Sequence, residues 1–253
     1  MNSTWFRRFT KPLDSGPRLV CFPHAGGAAT AYMQLARALS ADLDVLSVQY
    51  PGRQDRYGEE PFTALAPLVE AVAAELAGEL AAEPRRPYAL FGHSMGALVA
   101  FETARLLARG DGPAPERLFL SGRGAPETRR SPLGPSFDDA DVLAEIRRLN
   151  GTDQAMLDNP EVMEMVLPAL RADYRALGTY SWGGGEPLSV PVTALVGGGD
   201  PMVTLPDVRA WRAHTTGTFE LRVFDGGHFY LNDHLDGVAE AITGGLLSPT
   251  GRA

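Results

Sequence analysis

The chain has 253 residues, a formal net charge of −8 and a single cysteine, Cys21. An acidic chain repels phosphate backbones, so nucleic acid is not an expected partner, and one cysteine excludes an internal disulfide. The N-terminus lacks an apolar stretch of signal-peptide length, and no segment reaches the roughly 20 apolar residues that span a bilayer. We therefore expect a cytoplasmic protein with no membrane contact, folded as one domain over residues 1–253.

Short apolar runs alternate with longer helical patterns along the chain. The runs are nearly continuous, which is typical of strands covered on both faces of a parallel sheet. Alternation of strands and helices predicts an α/β fold in which helices cover both faces of a mostly parallel sheet. The predicted strands are Arg18–Phe22, Asp44–Gln49, Tyr88–Phe91, Arg117–Ser121, Val190–Val196 and Phe219–Phe224. The predicted helices between them are Ala29–Leu39, Leu65–Leu80, Leu98–Leu107 and Leu205–Ala213.

One long segment interrupts this alternation. Residues 124–185 contain two helical patterns, Asp138–Leu149 and Pro160–Leu177, and no strand pattern. An insertion of this length between two strands of a sheet usually forms a lid over a site. We therefore expect a helical lid over about residues 124–185.

The motif Gly92-His93-Ser94-Met95-Gly96 follows a predicted strand and precedes a predicted helix. This G-x-S-x-G pattern is typical of the nucleophile elbow, a tight turn that exposes a serine hydroxyl at the carboxyl end of a sheet. Ser94 is therefore the candidate nucleophile. Met95 opens the following helix, where its N–H and the helix dipole would stabilise an oxyanion. The alternative is a structural serine in a glycine-rich turn.

A serine hydroxyl is a weak nucleophile near neutral pH and needs a general base. His228 follows the last predicted strand and is the candidate base, while Asp200 follows the fifth strand and can orient the imidazole. The chain order Ser94, Asp200, His228 is the order that accompanies the nucleophile elbow. Asp225 is a competing acid, and a capping role is the alternative for Asp200. The other four histidines are expected to have structural roles: His24, His93, His214 and His234.

The loop Phe22-Pro23-His24-Ala25-Gly26-Gly27 follows the first predicted strand. Its glycines allow the backbone to approach a ligand closely, which suits a second oxyanion donor. We expect the N–H of Ala25 to be that donor, with Gly26 as the second choice. A strand-to-helix turn that binds nothing is the alternative.

Together these motifs resemble those of the stand-alone type II thioesterases that serve modular polyketide and non-ribosomal peptide synthases. The resemblance covers nearly the whole chain, and its His-Ala-Gly-Gly, Pro-Gly-Arg and Arg-Ala-Asp motifs are more particular than the serine motif. The sequence assigns no role to Arg53, Arg171 and Asp173 beyond an ion pair that could steady the lid. The matching segments are Trp5-Phe6-Arg7, Phe22–Gly27, Tyr50-Pro51-Gly52-Arg53, Gly92–Gly96, Leu170-Arg171-Ala172-Asp173-Tyr174, Gly199-Asp200 and Gly226–Phe229.

The resemblance implies an α/β-hydrolase fold and an editing activity that hydrolyses acyl groups from the phosphopantetheine arm of acyl or peptidyl carrier proteins. It also implies an acyl-serine intermediate and neither metal nor dissociable cofactor. Thioesterase domains fused to synthases often carry their acid after an earlier strand, but here Ser121-Gly122-Arg123-Gly124 contains none. The alternatives are a carboxylesterase or acyltransferase with the same triad, and a non-catalytic binding protein of this fold.

Two arginine pairs bear on how an acidic carrier protein could dock. Arg129-Arg130 and Arg147-Arg148 lie in the expected lid. They could bind an acidic helix, or they could be solvated surface, which is the commoner role of such pairs.

Overall fold

Seven strands form one sheet in the computed structural model, which describes residues 3–247 apart from 111, 129–132, 134–135 and 150–158. Across the sheet the first and third strands of the chain pair in antiparallel fashion, and every other neighbouring pair is parallel. The mostly parallel sheet expected from the sequence is therefore confirmed. The strands are β1 (Phe6–Arg7), β2 (Arg18–Phe22), β3 (Asp44–Val48), β4 (Tyr88–His93), β5 (Arg117–Ser121), β6 (Val192–Gly197) and β7 (Phe219–Phe224), and their order is β1-β3-β2-β4-β5-β6-β7.

Helices cover both faces of this sheet. Along β2, Val20 and Phe22 point into one hydrophobic core, whereas Leu19 and Cys21 point into a second core on the opposite face. Cys21 is fully buried, and burial raises the pKa of its thiol, as fits a small packing residue. Among the described residues, no helix is both long and apolar enough to cross a membrane. The helices are α1 (Met33–Ala38), α2 (Leu65–Ala82), α3 (Met95–Leu107), α4 (Asp139–Leu149), α5 (Pro160–Thr179), α6 (Leu205–Arg209) and α7 (Leu235–Leu247).

The two cores use different helices. Helices α2 and α3 pack on the face that contains Val20 and Phe22, and α1 and α7 pack on the other. The predicted helix at Ala29 begins as a 3-10 turn, Ala29–Tyr32, before α1, and the one at Leu205 ends as a 3-10 turn after α6. Such turns are common at helix ends.

Three boundaries differ from the sequence prediction near the serine motif and the last strands. β4 extends to His93, and α3 begins at Met95 instead of Leu98, so the turn between them is shorter than the pattern indicated. β6 begins at Val192, directly after Pro191, which has no N–H for a strand ladder. The short strand β1 was missed because two residues carry no recognisable periodicity.

Between β5 and β6 the described residues form the helices α4 and α5, a 3-10 turn and no strand. The side chain of Asn159 caps α5 by accepting from the N–H of Glu161 at 3.0 Å, and Pro160 occupies the first turn. The buried faces of α4 and α5 join the core that contains α2 and α3. We refer to residues 124–185 as the helical insertion.

A buried ion pair joins the amino ends of β2 and β3, at the edge of the sheet opposite to the serine motif. Arg18 Nε lies 3.0 Å from Asp44 Oδ2, and the two side chains are 1% and 2% exposed. Arg8 contacts the other carboxylate oxygen at 3.2 Å. Burial raises the pKa of Asp44, but the hydrogen bonds and charges of Arg8 and Arg18 outweigh it and hold that pKa below its usual value.

Replacing Asp44 with asparagine should lower the free energy of unfolding by about 2–3 kcal/mol, because Arg18 keeps its charge but loses its buried partner. Urea denaturation at neutral pH measures this loss. Since the pKa of Asp44 is depressed in the folded state, its stabilising contribution exists above the unfolded pKa and disappears as pH falls through the folded value. The difference between the two proteins should therefore shrink in acid. Glu220→Gln, which breaks the exposed Arg222–Glu220 pair, should change stability by less than about 0.5 kcal/mol.

Candidate active site

Ser94 occupies the single residue between β4 and α3, and its backbone is strained. Its φ of +56° and ψ of −117° lie in a region that residues other than glycine rarely adopt. The N–H of Ser94 donates to the carbonyl of Ser121 on the neighbouring strand at 2.8 Å. This geometry is that of the nucleophile elbow and aims the side chain beyond the carboxyl end of the sheet.

The two glycines of the motif are required by close packing. A Cβ at Gly92 would overlap the backbone of Gly96, and a Cβ at Gly96 would overlap the carbonyl of Phe22 at the end of β2. Helix α3 can therefore begin directly after Ser94 only because both positions lack a side chain. The helical pattern starting at Leu98 did not reveal this because Gly96 is a weak helix former.

His228 and Asp200 come from separate loops after β7 and β6 and form a hydrogen bond. His228 Nδ1 lies 2.8 Å from Asp200 Oδ2, and the two side chains are 1% and 0% exposed. The second oxygen of Asp200 accepts from the N–H of Met202 at 2.8 Å. With Nδ1 donating to the carboxylate, Nε2 carries the free lone pair that a general base needs. Nε2 is buried and has no hydrogen-bond partner among the described residues.

The competing acid, Asp225, is exposed and three residues away from His228, whereas Asp200 is buried against the ring. The position after β5 is filled by Gly122 with a φ of +60°. A Cβ on Gly122 would collide with the ring of His93 and lie 3.4 Å from His228 Cε1. The loop after β5 thus approaches the ring of His228 at Gly122, a residue without a side chain.

Two further imidazoles surround the base. The ring centroid of His93 is 4.9 Å from that of His228, and His93 Nδ1 lies 2.9 Å from Ser121 Oγ. Burial lowers the pKa of His93 well below its usual value, and the nearby His228 and His24 lower it further. Burial, helped by His228 and Arg53, lowers the pKa of His24 to about 4. Both rings are therefore neutral at pH 7, and neither places a further positive charge beside His228, the candidate base.

The N–H groups of Met95 and Ala25 are the expected oxyanion donors, and the hydrogen bonds around them bear on that expectation. Met95 is the first residue of α3, a position whose N–H lies outside the intrahelical hydrogen bonds. Gly26, the second choice from the sequence, donates its N–H to Asp173 Oδ2 at 2.7 Å. That contact occupies Gly26 and leaves the preceding N–H, that of Ala25, as the donor of choice on this loop.

The structure also locates Arg53, Arg171 and Asp173, for which only an ion pair steadying the lid was expected. Asp173 is on α5 and forms a two-fold ion pair with Arg53, at 2.8 Å to Nη1 and 2.9 Å to Nη2, with both residues buried. Arg53 Nη1 also donates to the carbonyl of Gly27 at 3.0 Å. Arg171 instead faces solvent and lies 3.3 Å from Asp139. Spacing along the chain could not show this, because Arg53 and Asp173 are separated by 120 residues.

A cavity of about 80 Å³ lies between the loop after β2 and the helical insertion. Its walls come from His24, Ala25, Gly26 and Phe229 on one side and from α4 and α5 on the other. Larger cavities exist along α2 and α3, but none of the candidate catalytic residues lines them. Among the residues that the structure describes, no three His, Cys, Asp or Glu side chains are grouped so as to hold a metal ion.

The sheet, the strained serine and the His–Asp pair define a hydrolase of the α/β-hydrolase fold, and comparisons with known proteins give its family. The thioesterase domain model matches residues 17–245. Thioesterase PikA5 of Streptomyces venezuelae is 46% identical over 250 residues, which cover 98% of this chain and 87% of that protein. The chain belongs to the thioesterase family.

Solved structures agree with this assignment. The type II thioesterase BorB from the borrelidin biosynthetic cluster is 43% identical, with a TM-score of 0.86 over 97% of this chain and 99% of that one. YbtT, a type II thioesterase from the yersiniabactin NRPS/PKS biosynthetic pathway, is 33% identical, with a TM-score of 0.81 over 99% of this chain and 100% of that one. The resemblance to type II thioesterases is therefore confirmed.

Replacing Asp200 with asparagine should lower kcat/KM by about 10³–10⁴-fold, because an amide favours the wrong tautomer of His228 and cannot stabilise its imidazolium. Asp225→Asn is the matched control and should stay within about threefold of the unmodified enzyme. Steady-state hydrolysis of an acyl thioester measures both. The reverse ranking would transfer the role of orienting acid to Asp225.

The ring of His24 should stay unprotonated far below the usual histidine pKa of about 6.5, because it is desolvated beside His228 and Arg53. Ring ¹⁵N chemical shifts followed by NMR between pH 8 and the acid limit of stability measure this. A midpoint near pH 4 is expected. A midpoint close to 6.5 would contradict the neutral surroundings that we assign to His228.

Proposed function

We propose that this thioesterase hydrolyses the thioester that joins an acyl group to the phosphopantetheine arm of a carrier protein. Its role is to clear stalled or wrongly primed units from a polyketide or non-ribosomal peptide synthase. The observation that supports this chemistry is the strained Ser94 at the carboxyl end of the sheet. The loops that bear His228 and Asp200 begin at the same end, and these two side chains form a hydrogen bond there. Membership of the thioesterase family supports the bond type.

The reaction proceeds through an acyl-serine. Ser94 Oγ attacks the thioester carbonyl while His228 Nε2 takes its proton, and Asp200 stabilises the resulting imidazolium. The N–H groups of Met95 and Ala25 hold the oxyanion of the tetrahedral intermediate. Collapse of that intermediate breaks the carbon–sulfur bond, and His228 returns the proton to the departing thiol. His228 then removes a proton from water, which attacks the carbonyl of the acyl-serine. Collapse of this second intermediate breaks the bond between the carbonyl carbon and Ser94 Oγ, His228 returns the proton to Oγ, and the acid is released. No step requires a cofactor.

The position of the helical insertion supports the proposal that it acts as a lid. Leu170 and Tyr174 on α5 and Ile146 on α4 line the cavity beside Ala25, so the insertion covers the loop that would hold the oxyanion. We expect the first carbons of an acyl group attached to Ser94 to enter this space, which Ala25 also lines. The apolar side chains of Ile146, Leu170 and Phe229 in its lining would contact a short hydrocarbon group and exclude the water that would compete with the thioester.

The carrier-protein partner is supported by the setting of the relatives. YbtT belongs to an NRPS/PKS pathway, and such pathways carry their intermediates as thioesters on carrier proteins. Of the arginine pairs that could dock an acidic carrier, Arg129-Arg130 lies outside the described residues. In the other pair, Arg148 is held by Glu145 at 2.7 Å, so less of its charge is free for a partner.

One acyl group presented in three ways tests this function. The enzyme should show a clearly higher kcat/KM for the acyl group on a carrier protein than for the same group on a pantetheine-type thiol or as a simple oxygen ester, because protein contacts add binding energy. Hydrolysis is followed by thiol or acid release, and Ser94→Ala is the control that should abolish turnover on all three.

Equal or faster hydrolysis of the oxygen ester would leave the triad in place but make the enzyme a general esterase. Diversion of the product into an ester or amide when an alcohol or amine is added would indicate an acyltransferase. Failure of a fluorophosphonate to label Ser94 would favour a non-catalytic binding protein.

A further inference from the structure

The turn His24-Ala25-Gly26-Gly27 is held by three hydrogen bonds from three sources. Within the turn, the N–H of Gly27 donates to the carbonyl of His24 at 2.9 Å. From outside, Arg53 Nη1 donates to the carbonyl of Gly27 at 3.0 Å, and Asp173 Oδ2 accepts the N–H of Gly26 at 2.7 Å. Two of the three bonds therefore depend on the buried Arg53–Asp173 pair.

These bonds determine where the N–H of Ala25 points. The carbonyl of His24 and the N–H of Ala25 belong to one planar peptide unit and point in opposite directions. The bond from Gly27 fixes the carbonyl side of that unit, and the bond to Asp173 fixes the next peptide unit along the chain. A change in either bond would rotate the N–H of Ala25.

Helix α5 also fixes the turn by direct packing. Gly26 has a φ of +74°, and a Cβ at this position would overlap the side chain of Leu170. Leu170 and Asp173 lie one turn apart on α5, so one face of this helix supplies both an apolar contact and a hydrogen-bond acceptor to the same glycine. The position of the turn is therefore tied to the position of the insertion.

Charge explains why an arginine accompanies the aspartate. A bare carboxylate next to the turn would repel an oxyanion forming there. Arg53 neutralises it while leaving one carboxylate oxygen in contact with Gly26. Burial lowers the pKa of Arg53, but the charge and hydrogen bonds of Asp173 outweigh it, so the guanidinium stays charged.

We propose that Asp173 and Arg53 are positioning residues for catalysis, which hold the N–H of Ala25 in the orientation that binds the oxyanion. Because Asp173 lies on α5, the oxyanion hole is complete only when this helix is seated against the turn. The proposal rests on the proposed function in taking Ala25 as an oxyanion donor. It adds that the helical insertion contributes to the chemical step in addition to covering the acyl group.

A purely structural role is the competing explanation, and the Arg18–Asp44 pair provides a matched control. It too is a buried arginine–aspartate pair, but it lies at the opposite edge of the sheet. Asp44→Asn and Asp173→Asn each replace a buried carboxylate that faces an arginine. Both should lower the melting temperature, but only the change at Asp173 should affect the oxyanion.

The experiment compares these two variants with the unmodified enzyme in three measurements: kcat and KM on a pantetheine-type thioester, Ki for an alkyl trifluoromethyl ketone, and the melting temperature. The ketone adds to Ser94 and forms a tetrahedral oxyanion, so its affinity reports the oxyanion hole without any thioester. Loss of a whole oxyanion donor costs about 10²–10³ in kcat, so a displaced donor should cost about 10–100-fold.

We expect Asp173→Asn to lower kcat by that factor with little change in KM. The Ki for the ketone should rise by a similar factor. The acid limb of the pH profile should stay in place, since it reports the base. Arg53→Gln provides a second variant should Asp173→Asn fail to fold. It removes the bond to the Gly27 carbonyl and leaves the Asp173 carboxylate bare beside the turn, so we expect a loss of at least the same size in the same two quantities. Asp44→Asn should keep kcat and Ki unchanged.

If Asp173→Asn and Arg53→Gln lower the melting temperature but leave kcat and Ki at the values of Asp44→Asn, the positioning role is wrong. A shifted acid limb with unchanged Ki would also overturn it, because the effect would then act through His228. Failure of the proposed function can be distinguished from failure of this positioning role. In the first case the unmodified enzyme would prefer oxygen esters, but the Ki for the ketone would still differ between it and Asp173→Asn.

Discussion

The close crossing of β4, α3 and the end of β2 is the constraint on which the rest of this structure depends. Gly96 packs against the carbonyl of Phe22 so closely that no side chain fits, and Gly92 packs in the same way against Gly96. The chain can pass from strand to helix here only through one residue, Ser94, at a φ of +56°. Strain of this kind costs of order 1–3 kcal/mol and persists only where the surrounding packing imposes it.

The geometry of the candidate active site follows from that crossing. Because the neighbouring strands are parallel, the loops after β2, β4, β6 and β7 all begin at the same edge of the sheet, the edge where Ser94 lies. That edge receives Ala25, Met95, Asp200 and His228, each from a different loop or helix start. The desolvated rings of His24 and His93 are neutral there, so we expect the Asp200 carboxylate to face a single imidazolium in the proposed reaction.

Much of this arrangement was readable from the sequence, because the features concerned are local. Ser94 lies in a glycine-rich motif directly after an apolar run, and Asp200 and His228 each follow a later apolar run. These local patterns place all three residues after strands without knowledge of tertiary contacts. The parallel sheet then brings the ends together. What the sequence could not give depends on contacts between distant segments. Arg53 and Asp173 are 120 residues apart, and nothing in either local pattern shows that they pair around the turn at Gly26. The serine motif already places Met95 at the start of α3, but the reason for a glycine at position 96 was not readable, since it arises from β2.

In the proposed mechanism Ser94 carries the acyl group during thioester hydrolysis. The most direct measurement is rapid quenching of the enzyme with an acyl carrier protein, followed by mass spectrometry of its peptides. We expect a transient mass increase equal to the acyl group on the peptide that contains Ser94, and no such increase in Ser94→Ala. Turnover without such an adduct, or an acyl group on another residue, would contradict it.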